Sequence, residues 1–66
     1  MQKIKSVSKE RYEVTLSQSE AGQYYIQVDT YLGEDDGMDS TMSDPIADYS
    51  IASFAFDARI AALEGN

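Results

Sequence analysis

Carboxylates are the one kind of reactive side chain this sequence holds in number. There are 12 Asp and Glu residues, with no His and no Cys. Two pairs stand close enough in the chain to share a site, Asp35 with Asp36 and Asp44 with Asp48. Carboxylates held together split their pKa values, which is how a pair divides acid and base roles in glycosidic chemistry. That chemistry needs a cleft, and a single small domain has little volume to form one. Without His or Cys, the Ser–His and Cys–His nucleophile systems cannot be assembled. Gly33 and Gly37 are not followed by the Lys-Ser/Thr helix start of a phosphate loop. The expectation is that the chain is not an enzyme and carries no cofactor.

The oxygen-rich stretch Glu34-Asp35-Asp36-Gly37-Met38-Asp39 invites a calcium reading. An EF-hand loop needs oxygen ligands at positions 1, 3 and 5, a Gly at 6 and a Glu at 12. Counted from Asp35, position 3 is Gly37, position 6 is Ser40 and position 12 is Ile46, so the pattern fails. A solvated acidic turn is the expectation, with no metal.

Charge is unevenly spread. The net charge is −7; residues 1–11 carry +3, and residues 12–66 carry −10 with Arg59 as their single cation. An acidic body repels phosphates, so direct nucleic-acid binding is not expected. The same field attracts a basic surface on a partner protein. Tyr25 and Tyr31 fall on the sheet parity shared with Asp29, and tyrosine gives large rigid contact area at low entropic cost. These three, with Glu34, Asp35 and Asp36, form the expected partner-binding face. Cross-strand packing and solubility alone would account for the same residues.

The elements that must position these groups follow from pattern. Residues 1–10 show no sustained period and read as a flexible basic arm. Residues 11–18 alternate, with Tyr12, Val14 and Leu16 on one side, as in a half-buried strand. Residues 23–32 alternate likewise, with Tyr24, Ile26 and Val28 inward. Ser19-Glu20-Ala21-Gly22 suits a type I turn closed by Gly22 in the left-handed region, which keeps the two inner sets on one face. Asp36-Gly37 is a second hairpin signal, and residues 38–43 read as a third strand of poor propensity. The last element is a helix over about residues 48–63, with Asp48 as N-cap and Gly65 expected in the left-handed C′ position. Asp44-Pro45 offers a competing helix start.

The predicted fold is therefore α+β: an antiparallel meander of two to three strands with one C-terminal helix packed on one face. Residues 11–66 make a single domain. At 100° per residue the helix turns Ala52, Phe56, Ile60 and Leu63 to the sheet. A second apolar sector holds Ile51, Phe54, Ala55, Ala58 and Ala62. Either other segments cover that sector, or it is an interface with a second copy or another protein. A domain this small buries only about 60% of its unfolded surface, which favours oligomerisation as an added source of stability.

Two functional readings follow. The first is a small acidic protein-binding module, docking on a basic surface and able to inhibit a nucleic-acid-binding partner by occupying its phosphate site. The alternative is a self-associating assembly protein, a homodimer through the helix or through a free sheet edge. Nothing in the sequence resembles a membrane span, and the absence of Cys fits a cytoplasmic setting.

Overall fold

A computed structural model describes residues 1–33 and 37–65. It shows an antiparallel four-stranded sheet in the order β1-β2-β3-β4, followed by one helix. The strands are β1 (Gln2–Ser8), β2 (Tyr12–Gln18), β3 (Tyr24–Gly33) and β4 (Gly37–Met42); the helix α1 is Tyr49–Glu64. The α+β class and the C-terminal helix agree with the sequence reading, while the strand count is four rather than two to three.

The additional strand is β1, formed by residues read as a flexible arm. Its pattern is illegible for a physical reason. The pairing with β2 shifts register between Lys3 and Lys5, so one residue is left over and the alternation restarts. Lys5 and Val7 then lie opposite Leu16 and Val14, which places a lysine on the inner face. Its amine sits 4.9 Å from the centre of the Phe56 ring and donates to Ser53 Oγ at 3.1 Å. The aliphatic stem covers apolar surface while the charge finds a ring and a hydroxyl.

The β2–β3 hairpin has the expected turn. Gly22 has φ 87° and its N–H donates to Ser19 O at 3.0 Å. Register sets Val14 opposite Val28 and Leu16 opposite Ile26. These four form the buried core with Ala52 and Phe56 of the helix, and Tyr12, Tyr24, Ile60 and Leu63 pack around it. Inner sheet positions and helix stripe are those the alternation and the 3.6-residue period indicate.

β4 forms despite its Asp and Ser content because β3 supplies its partners. Tyr31 lies opposite Met38, Asp29 opposite Ser40 and Gln27 opposite Met42. The chain then stays along β3: Ile26 N–H donates to Ser43 Oγ at 2.9 Å, and Tyr24 and Ile46 exchange both backbone bonds. The helix starts at Tyr49, after Asp48 rather than at Pro45, and Asp48 accepts from the Ile51 N–H at 3.0 Å. Gly65 differs from expectation. It is right-handed, at φ −73°, and its N–H donates to Ala61 O, so the helix ends by adding a turn instead of reversing.

Candidate functional site

Three surfaces come out of this arrangement: the outer face of the sheet, the back of the helix, and a groove between them at the β4 side.

On the outer face, β3 presents Tyr25, Gln27, Asp29 and Tyr31 on one parity, as the sequence alternation indicates. Tyr31 is exposed, while Tyr25 is half-buried and donates to Gln23 Oε1 at 3.5 Å. The exposed Met38 lies beside Tyr31, across the β3–β4 pair. Asp29 has a different setting. It is only 8% exposed, and its carboxylate accepts from Ser40 Oγ and from Gln27 Nε2 at 3.1 Å. The Ser40 bond, then the Gln27 bond, hold its pKa below the ordinary carboxylate range, outweighing the opposing effect of burial. Glu13 of β2 stands directly opposite Asp29, so two carboxylates share one row of the face. Glu34, Asp35 and Asp36, also expected on this surface, lie outside the described residues.

The sign of the Asp29 shift fixes a pH effect. A carboxylate with a depressed folded pKa stabilises the fold fully above its unfolded value, about 4, and loses that contribution as pH falls through the folded value. Asp29→Asn should therefore be less stable than the parent at neutral pH, with the gap closing below about pH 4. Denaturant titrations of both chains across that range would check it. A gap that persists unchanged in acid would remove the charged hydrogen bonds as its cause.

On the opposite side, α1 packs on β2 and β3. Its back exposes Ile51 at 62% and Phe54 at 76%, with Ala58 and Ala62 also exposed and Ala55 half-buried against the core. The sector expected as an oligomer interface is thus largely at the surface. Near its C-terminal end, Glu64 accepts from Tyr12 OH at 3.4 Å and pairs with Lys9 at 3.8 Å. Desolvation, then the Glu64 charge and hydrogen bond, raise the Tyr12 pKa above its ordinary value, which keeps the phenol a neutral donor.

Between α1 and β4 runs an apolar groove of about 270 Å³. Ile26, Val28, Thr41 and Ile46 form its floor and far side, and Ala55 and Arg59 form the helix wall. Sequence reasoning missed it, because its existence depends on which strands the helix covers. Among the described residues, no group of three or more His, Cys, Asp or Glu is gathered as a metal site, and no helix is long and apolar enough to cross a membrane.

Comparison with known protein families, with curated proteins and with solved structures finds no match for this chain.

Proposed function

We propose that this chain is a small acidic, non-catalytic binding module that docks on a basic surface of a partner protein through the outer face of its sheet. The observation that carries the reading is the β2–β3–β4 register. It sets the residues Glu13 and Asp29 opposite one another in the ladder, in the row next to the exposed Tyr31–Met38 pair. A cation on the partner would meet two acidic residues in that row, while Tyr31 and Met38 supply apolar area beside it. Ser40 and Gln27 keep Asp29 ionised and fixed, so the charge is oriented before a partner arrives. A nucleic-acid-binding protein offers such a basic surface, and blocking its phosphate site would inhibit it.

The test is capture of partners from lysate by the immobilised chain, run at low and high salt and repeated with Tyr31→Ala. The expected result is a basic protein retained at low salt, released as the Debye length shrinks, and lost with Tyr31→Ala while circular dichroism stays unchanged. Retention that ignores both salt and Tyr31 would sink this reading.

A second reading, self-association through the helix, is favoured by the exposure of Ile51 and Phe54 on one side of α1. Burial of two such side chains gains about 1.5–3 kcal/mol each before the costs of association.

A further inference from the structure

The two margins of the sheet differ. β1 carries Lys3 and Lys5 and shifts register between them. β4 pairs with β3 without interruption from Met38 to Met42, and all six of its residues are exposed. No proline stands in this run, so every residue keeps its N–H.

The ladder fixes where those groups point. Along β3, Tyr24 exchanges both backbone bonds with Ile46, and Ile26 O accepts from the Ser43 N–H at 2.8 Å. Backbone bonds in an antiparallel pair fall on alternate residues, so Val28 and Thr30 continue this set. Their partners Thr41 and Asp39 turn their polar groups toward β3. Met38, Ser40 and Met42 therefore turn theirs away from the sheet. Among the described residues, the N–H and C=O groups of these three meet no other backbone group.

The same three residues place their side chains on the outer face. Met38 lies opposite Tyr31, Ser40 opposite Asp29 and Met42 opposite Gln27. A small side chain thus stands between two exposed methionines, each about 7 Å away along the strand. The Ser40 hydroxyl gives its proton to Asp29. Its oxygen is left as an acceptor, polarised by the carboxylate behind it. The edge therefore holds a notch with apolar flanks and a negative floor.

We propose that β4 is the template for an extended segment of the basic partner, added antiparallel as a fifth strand with an arginine opposite Ser40. The inference rests on the reading of a basic partner and specifies which segment binds and how. The segment's backbone takes the outward groups of Met38, Ser40 and Met42. Its arginine lies across Ser40, donates to the hydroxyl and faces Asp29. Apolar residues two positions to either side pack on Met38 and Met42. Main-chain bonds give such an addition its affinity, and the sites for alternate side chains give it specificity.

Charge selects this occupant over a second copy. Asp39 lies within β4, Glu34, Asp35 and Asp36 precede it in the chain, and the lysines of β1 are at the far margin. A second chain brings −7 to this edge, whereas a basic segment brings the opposite sign.

The test uses the full chain and a capped peptide with arginine at its centre, leucine at both ends and threonine between. Amide hydrogen exchange is followed by NMR at low salt. On saturation with peptide, exchange should slow at Met38, Ser40 and Met42, with little change at Asp39 and Thr41, which already bond β3. N-methylation of the peptide's arginine amide keeps the charge and removes a strand bond, so binding should be lost. Glutamate in place of the arginine should abolish binding as well. Binding that survives N-methylation and perturbs Tyr31 and Asp29 instead puts the cation on the face of the sheet. That overturns strand addition and leaves the basic-partner reading standing. Slowed exchange at the three amides on concentrating the chain alone gives the edge to a second copy and overturns the assignment to a basic segment. A peptide that fails to bind overturns it too, while capture of a basic protein from lysate still upholds the wider reading.

Discussion

Phe56→Ala is expected to destabilise the domain by about 3–5 kcal/mol. Phe56 is 2% exposed and is the largest side chain the helix contributes to the core. Its removal opens a cavity between sheet and helix that Val14, Leu16, Ile26 and Val28, fixed in a paired ladder, cannot collapse to fill. It also removes the ring under the Lys5 amine, leaving a cation on the inner face with only Ser53 as partner. A chain of this length has roughly 3–10 kcal/mol of stability at the usual value per residue. The substitution therefore takes from about a third to all of it. Thermal and denaturant unfolding monitored by circular dichroism would show the loss; a variant that melts with the parent would place Phe56 outside the core.

Ala52→Leu is the second large effect, and it acts in the opposite way. Ala52 is fully buried where α1 comes down on the sheet, one turn before Phe56. A methyl side chain sets the distance between the layers there. Three added carbons must either push the helix off Leu16 and Val14 or take poor rotamers, at a cost of about 1–3 kcal/mol. The same change raises local hydrophobicity and leaves helix propensity nearly unaltered. A gain in stability measured by urea unfolding would therefore mean spare room under the helix and would contradict the close approach described above.

How much of this was legible in the sequence depends on whether a local rule governed the element. β2 and β3 alternate without interruption, so their inner sets and common face were readable from Tyr12 to Leu16 and from Tyr24 to Val28. The helix was readable from its period and from Asp48. β1 was not, because the register shift at Lys3/Lys5 breaks the alternation and a lysine occupies an inner position. β4 showed only as a strand of poor propensity after an Asp-Gly turn, since its stability comes from pairing with β3 rather than from its own residues. At the candidate site, the parity of Tyr25, Asp29 and Tyr31 followed from alternation. The burial of Asp29 did not, because it needs Ser40 from another strand. The groove was invisible for a similar reason: no residue encodes it, only the difference between the width of a sheet and the width of a helix.

The bulge in β1 has a further consequence. An outermost strand with free backbone groups is a template on which other chains can stack into fibrils. β1 is defended three ways: its register shifts part-way along, it carries lysines, and one of them is turned inward. A foreign strand laid along it would meet a broken hydrogen-bond ladder and concentrated positive charge. At the other margin β4 is only six residues long and holds Asp39. The irregularity that hid β1 from pattern reading thus also makes the β1 margin of the sheet a poor template for an added strand.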